Sequence, residues 1–189
     1  MRTSINRFSL CRLTRLFVLF FFFFSFHQRT AASSPVKSVP THRVYIFLAE
    51  TCPICQYSTV ELRRLYADFG SHGFEFIGIM PNYELSSEST VSKFSTKYSI
   101  PFPLKIDQHG KLTASLKATI TPEVVVVRIS DQSVVYRGRI DNSFERVGKR
   151  RKVVTEHYLR SAFEHIRQGL PPIPASTQPV GCLIAHHTN

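Results

Sequence analysis

The sequence predicts an α/β sandwich with a mixed central sheet, on the strength of three observations. Short runs rich in β-branched and aromatic residues alternate with longer segments whose apolar residues recur at helical spacing. The predicted order is β-α-β-α, a connector and then β-β-α, and helices between strands favour parallel pairing. A turn signal at residues 130–133 (SDQS) joins the last two strands as an antiparallel hairpin. Helices on both faces of such a sheet would give three layers.

Each element has its own signal. Residues 42–49 (HRVYIFLA) are apolar and too short for a typical helix, and residues 123–129 (EVVVVRI) are the most strand-like run in the chain. The predicted strands cover residues 42–49, 74–80, 123–129 and 134–140, with a short extended piece that ends at Asp107. The predicted helices cover residues 56–69, 87–98, 111–117 and 155–168, and Thr155 is the expected cap of the last one.

Residues 1–32 have the pattern of a secretory signal peptide, with Arg residues before an apolar stretch at 16–26 and small residues after it. That stretch is shorter than the ~20 residues needed to span a bilayer, and an uncleaved anchor is the alternative. We therefore expect a signal peptide at 1–32, a linker at 33–41, a domain at 42–170 and a Pro-rich tail at 171–189 that carries Cys182. Export would bring the chain to the periplasm or the extracellular space.

The positive charge is concentrated in this leader. The formal net charge is +11, and the five Arg of residues 1–32 account for five of those charges, which leaves +6 for the remainder. A charge of that size allows only loose attraction to anionic surfaces. We expect no nucleic-acid partner and no stable membrane insertion once the leader is removed.

Cys52-Pro53-Ile54-Cys55 form a CxxC motif between the first predicted strand and the first predicted helix. A CxxC in this place is typical of the redox pair of a thioredoxin-like fold. Free N–H groups and the positive end of the helix dipole favour an anion at Cys52, so its pKa should fall below the ~8.5 of free cysteine. We assign Cys52 as the attacking nucleophile and Cys55 as the resolving thiol that releases the mixed disulfide.

Thr121 and Pro122 lie just before the strongest predicted strand. In thioredoxin-like folds a cis-proline stands there and packs beside the CxxC. The residue before it, here Thr121, offers backbone groups to an extended substrate. We therefore expect Thr121 and Pro122 to bind substrate.

Cys182 is a candidate accessory thiol, because three cysteines remain once Cys11 is assigned to the leader. It could be a second resolving thiol, the partner in an intermolecular disulfide, a metal ligand with His186 and His187, or an inert thiol. A structural zinc site needs four ligands held together, which a tail far from the CxxC supplies poorly. We therefore expect neither a metal nor a cofactor.

Four segments together resemble a family of exported bacterial redoxin-domain proteins of the thioredoxin-like superfamily, often grouped with the alkyl hydroperoxide reductase/thiol-specific antioxidant proteins. These segments are residues 50–56 (ETCPICQ), 121–123 (TPE), 136–141 (YRGRID) and 179–182 (PVGC). The resemblance covers about residues 42–184. It implies a thioredoxin fold and oxidoreductase or antioxidant activity.

Two departures from these relatives bear on the chemistry. Thioredoxin buries an Asp six residues before its first cysteine as a proton acceptor, and that position is Ile46 here. Glu50 and Glu61 are the candidates to replace it. Peroxiredoxins carry Thr or Ser three residues before the peroxidatic cysteine, and that position is Ala49 here. The second departure argues against an efficient peroxidase.

Two charged segments have two interpretations each. Arg137, Arg139 and Asp141 could orient a partner or close a hairpin through an ion pair. Residues 149–152 (KRRK) could be a solvated loop or a docking patch. The structural interpretation is favoured for both segments.

The sequence therefore predicts a thiol–disulfide oxidoreductase that acts on exported proteins or on another redox carrier. Its partners would be protein or small-molecule disulfides and thiols, together with a redox partner protein. One alternative is a copper or haem-related carrier that uses the same thiols. Another is a weak thiol-dependent peroxidase with antioxidant activity.

Overall fold

The computed structural model describes residues 38–185 of the chain. The predicted signal peptide, residues 33–37 of the predicted linker, and His186 and His187 lie outside this range. The strands are β1 (His42–Phe47), β2 (Phe74–Met80), β3 (Leu104–Ile106), β4 (Ile120–Thr121), β5 (Glu123–Arg128), β6 (Val134–Gly138), β7 (Phe144–Arg146), β8 (Lys149–Arg150) and β9 (Cys182–Leu183). The α-helices are α1 (Pro53–Phe69), α2 (Glu88–Lys97), α3 (Lys111–Ser115) and α4 (Tyr158–Arg167).

The central sheet has five strands in the order β3-β2-β1-β5-β6. β2 runs parallel to both β1 and β3, whereas β5 runs antiparallel to both β1 and β6. The predicted α/β architecture with a mixed sheet is therefore confirmed. Within residues 38–185, no helix is long and apolar enough to cross a bilayer.

Side chains of β5 alternate between two apolar layers, as the pleat of a strand requires. Val124 and Val126 join the main core with buried residues of α1, α2 and α4. Val125 and Val127 join a second cluster on the opposite face, against which Leu112 of α3 packs. Helices thus cover both faces of the sheet, which gives the three predicted layers.

The last helix begins later than predicted. Thr155 does not cap it; α4 begins at Tyr158 after the N-cap residue His157. The reason is a competing tertiary contact: the N–H of Thr155 donates to Oδ1 of Asn142 at 3.0 Å, and its Oγ1 accepts from Nδ2 of Asn142 at 2.8 Å. These bonds tie residues before α4 to the loop after β6 and keep them out of the helix.

The basic segment at residues 149–152 is not wholly a loop, which corrects the prediction. Lys149 and Arg150 form β8, which pairs antiparallel with β7. Gly148 permits the tight turn between the two strands because it adopts a positive φ of 78°. Nζ of Lys149 also pairs with the Glu145 carboxylate at 2.6 Å.

The arginines of the 136–141 segment serve the fold. Nη1 of Arg137 lies 3.2 Å from Oε1 of the buried Glu123, and the same guanidinium donates to the carbonyl of Lys117. Arg139 donates to the carbonyls of Phe144 and Gln178. The favoured structural interpretation is therefore supported, although the partner of Arg137 is on β5 and is not Asp141.

Residues 175–177 of the tail lie beside β6. The backbone N–H of Arg137 donates to Ala175 O at 3.0 Å, and the N–H of Thr177 donates to Arg137 O at 2.9 Å. Gly138 makes this approach feasible, because a Cβ at its position would lie 2.1 Å from Thr177 O. The sequence predicts an extended, irregular tail, and in the structure this part of the tail is hydrogen-bonded to the sheet.

Replacing Phe163 with Ala should destabilise the fold by about 3–5 kcal/mol, because a buried phenylalanine leaves a large cavity. Its ring is fully buried and lies 4.4 Å from that of Phe74 and 5.1 Å from that of Phe69, between centroids. Urea unfolding under reducing conditions measures the loss. Val60→Ala on α1 is the control, since that side chain is 43% exposed. Equal losses for both variants would contradict this account of the core.

Candidate active site

Cys52 lies at the N-terminus of α1. Its backbone is extended, and its carbonyl accepts the first helical hydrogen bond from Gln56 N at 3.0 Å. Pro53 occupies the first helical turn, where its missing N–H costs nothing. The backbone N–H groups of Ile54 and Cys55 lower the pKa of the Cys52 thiol by hydrogen bonding. The sequence-predicted nucleophile therefore stands where a helix favours negative charge.

Cys55 lies one turn into α1 and is fully buried. Its Sγ accepts a hydrogen bond from the N–H of Ala49 at 3.4 Å. Burial, followed by the nearby Cys52 sulfur, raises the pKa of the Cys55 thiol above 9.0. Cys55 is thus a protonated thiol in contact with the neighbouring sulfur.

The Thr121–Pro122 peptide bond is cis, as expected from its place before β5. Thr121 is fully buried, and its carbonyl oxygen lies 3.3 Å from Sγ of Cys52. Pro122 and Ile54 line a small cleft beside the cysteines, together with Val180 of the tail. The CxxC motif and the Thr121–Pro122 segment therefore lie in contact, as the sequence predicts.

Cys182 also reaches this site, as the alternative of a second resolving thiol requires. Its Sγ lies 2.8 Å from Sγ of Cys52 and donates a hydrogen bond to it. The contact follows from backbone pairing, because β9 runs antiparallel to β4 and Cys182 is the register partner of Thr121. Three cysteine sulfurs therefore converge on the start of α1.

The three thiols are electrostatically unequal. A hydrogen bond from the Cys55 side chain lowers the pKa of Cys52 to about 5, helped by hydrogen bonds from Cys182 and two backbone N–H groups and opposed by burial. Burial and the hydrogen bond to Cys52 raise the pKa of Cys182 to about 11. At neutral pH the expected state is one thiolate, on Cys52, between two thiols.

The two candidate proton acceptors have other partners. The carboxylate of Glu50 accepts hydrogen bonds from the hydroxyls of Ser86 and Thr90, each at 3.0 Å. Glu61 pairs with Arg160 of α4 at 3.4 Å and with a neighbouring arginine of α1. Neither residue is assigned a part in the chemistry.

Gly181 belongs to the site and was missed as a functional residue. A Cβ at this position would lie 1.9 Å from Thr121 O, so only glycine lets β9 approach β4 so closely. The Gly-Cys pair at residues 181–182 was the available signal. The sequence pattern of this pair marks a family resemblance, but it does not indicate the backbone contact.

The Redoxin family model matches residues 32–152, which is more than half of the chain. The chain belongs to the Redoxin family. This membership supports a redox role in general terms. No curated protein matches this Redoxin-family chain.

Two solved structures share the fold over most of this Redoxin-family chain. A conserved protein of Geobacillus kaustophilus, described as uncharacterized, superposes with a TM-score of 0.70 and 27% identity over 82% of this chain and 81% of that chain. A hypothetical protein of Sinorhizobium meliloti superposes with a TM-score of 0.69 and 20% identity over 79% and 81% of the two chains. The fold is thioredoxin-like, as predicted.

No group of three or more His, Cys, Asp or Glu suited to a metal ion occurs within residues 38–185. The alternative ligands His186 and His187 lie outside that range. The predicted absence of a metal stays a prediction.

A pH titration of the reduced chain, followed by the ultraviolet absorbance of thiolate, should reveal one thiol that ionises with a midpoint near pH 5. The expected reason is the set of hydrogen bonds that lower the pKa of Cys52 to about 5. Cys55→Ala should move the midpoint upward, because the largest of these contributions is lost. Cys52→Ser is the control and should remove the acidic transition. A midpoint near the ~8.5 of free cysteine would refute the assignment.

Proposed function

We propose that this chain is a thiol–disulfide oxidoreductase in which Cys52 attacks and Cys55 resolves. The main supporting observation is the asymmetry of these two sulfurs. The helix N-terminus and neighbouring donors favour the Cys52 thiolate, whereas burial keeps Cys55 protonated. A thiolate is the attacking species in disulfide exchange.

The proposed reaction proceeds in two exchanges. The Cys52 thiolate attacks one sulfur of a substrate disulfide, forms a mixed disulfide and expels the other substrate sulfur as a thiolate. The Cys55 thiol then gives up its proton, and its sulfur attacks Cys52. The Cys52–Cys55 bond forms, and the remaining substrate sulfur leaves and takes up a proton. Two substrate thiols are produced as two protein thiols are oxidised, and no cofactor enters the balance.

The proposed substrates are disulfides and thiols of proteins or of small molecules, with a redox partner protein to restore the starting state. An extended peptide would pair with the backbone of Thr121, and its side chains would reach the cleft beside Ile54 and Pro122. Hydrogen bonds to a strand edge are independent of sequence, which suits a broad range of peptide substrates.

We also propose that residues 1–32 direct export to the periplasm or the extracellular space. The domain would then cover residues 42–170 and the tail residues 171–189. An oxidising compartment would supply the disulfides that this chemistry uses.

Purified chain with dithiothreitol should reduce the interchain disulfides of insulin faster than dithiothreitol alone. Cys52→Ser should abolish this acceleration because the attacking sulfur is lost. Cys55→Ser should accumulate a mixed disulfide on Cys52, detectable by mass spectrometry without reductant. Insulin precipitation measures the rate.

Val60→Ala is the matched control, since this exposed side chain points away from the core. No acceleration by the unaltered chain would overturn the proposal. Thiol-dependent peroxide consumption by the same preparation, or copper bound in stoichiometric amount and lost in Cys55→Ser, would instead favour the peroxidase or the carrier.

A further inference from the structure

The edge of β4 that would pair with a substrate is already paired with the chain's own tail. β9 runs antiparallel to it, with Cys182 opposite Thr121 and Leu183 opposite Ile120. An extended peptide that brings a cysteine to Cys52 would adopt this same arrangement. The tail therefore stands in the place of a substrate and presents its own thiol.

This placement is fixed from both sides of β9. Beyond the strand, the N–H of Ile184 donates to Thr119 O at 2.9 Å, and its side chain is buried in the second apolar cluster. The N–H of Ala185 donates to Oδ1 of Asn82 at 3.1 Å. Before the strand, Gly181 packs directly against Thr121 O. These backbone and side-chain contacts of β9 hold Cys182 beside Cys52, so the approach of the two sulfurs does not depend on the sulfurs alone.

The three sulfurs also differ in access. Cys52 is only 2% exposed and Cys55 is fully buried, whereas Cys182 is partly exposed. Cys182 is thus the thiol through which a reagent in solution can reach this site without displacing β9.

We propose that Cys182 is a third exchanging thiol, which bonds Cys52 reversibly while β9 is seated on β4. This inference rests on the proposed function, because it needs a reactive Cys52. It assigns Cys182 a catalytic role: like Cys55, its sulfur resolves disulfides on Cys52.

The exchange balances without an external oxidant. Starting from the Cys52–Cys55 disulfide, the Cys182 thiol gives up a proton and its sulfur attacks Cys52. The Cys52–Cys182 bond forms, the Cys52–Cys55 bond breaks, and Cys55 takes up a proton. One disulfide and one thiol are present before and after the step, so the oxidation state of the chain is unchanged.

The direction of attack on the new disulfide follows from the leaving groups. A thiol of lower pKa leaves faster, and Cys52 is the most acidic of the three. An incoming thiolate would therefore attack the partly exposed Cys182 sulfur and expel Cys52. Cys182 would then form a mixed disulfide with the partner, and Cys52 would be released as a thiolate.

The test uses the full chain with Cys11→Ser and Cys55→Ser, so that Cys52 and Cys182 are the remaining thiols. The reduced protein is treated with oxidised glutathione, and intact mass and non-reducing peptide maps follow the products over time. The first exchange places glutathione on one of the two thiols, and the other thiol then expels it as glutathione thiol. The expected end product is a Cys52–Cys182 bridge, with a chain two hydrogens lighter and no glutathione attached.

Two further variants in that background test the Cys182 sulfur and the pairing of β9 with β4. Cys182→Ser should stop at the Cys52–glutathione mixed disulfide. Gly181→Ala should slow bridging by about tenfold or more, because its Cβ cannot fit beside Thr121 O. Leu183→Ala is the matched control on the same strand and should bridge at the parent rate, since this side chain is 79% exposed.

The outcomes separate the two proposals. A stable glutathione adduct on Cys52 with Cys182 still free would overturn this inference and leave the proposed function intact. Bridging at an unchanged rate in Gly181→Ala would overturn the role of the seated strand. The proposed function itself would be overturned if Cys52 did not react with oxidised glutathione under conditions in which free glutathione thiol does exchange with it.

Discussion

The site depends on the antiparallel pairing of β1 with β5. Phe47 at the end of β1 is the register partner of Glu123 at the start of β5. The chain that leaves β1 toward Cys52 and the chain that enters β5 from Pro122 therefore lie at the same edge of the sheet. The buried carboxylate of Glu123, paired with Arg137, fixes this edge, because an unpaired buried charge would be costly. The CxxC and the cis-proline meet as a result of this one register.

Local patterns were sufficient for most of the fold and for part of the site. The run of four valines at residues 124–127 predicts β5, an interior strand of the sheet, and the spacing of Cys52 and Cys55 predicts two sulfurs on one helical turn. The link from the CxxC to Thr121–Pro122 came from fold resemblance and not from local pattern. Helix α4 was misplaced at its start, because the contact between Thr155 and Asn142 leaves no trace in local propensity.

The position of Cys182 could not be read from the sequence for a physical reason. The segment around it is rich in proline and lacks any apolar period, and β9 is a strand of two residues. Its place is determined by contacts between residues that are far apart in the sequence: Gly138 with Thr177, Gly181 with Thr121, and Ile184 with the second apolar cluster. Each of these contacts joins residues that lie far apart in the sequence, so no local pattern predicts it.

Tethering of β9 also sets a threshold for any molecule that pairs with β4. A segment joined to the same polypeptide acts on its site at an effective concentration, which for short flexible connections is in the millimolar range. The bonds of residues 175–177 to β6 shorten the free connection before Cys182, and so favour rebinding of the tail over a dilute peptide. Under the proposed function, a peptide substrate would compete with this internal strand, and weak or scarce ligands would be excluded without any steric gate.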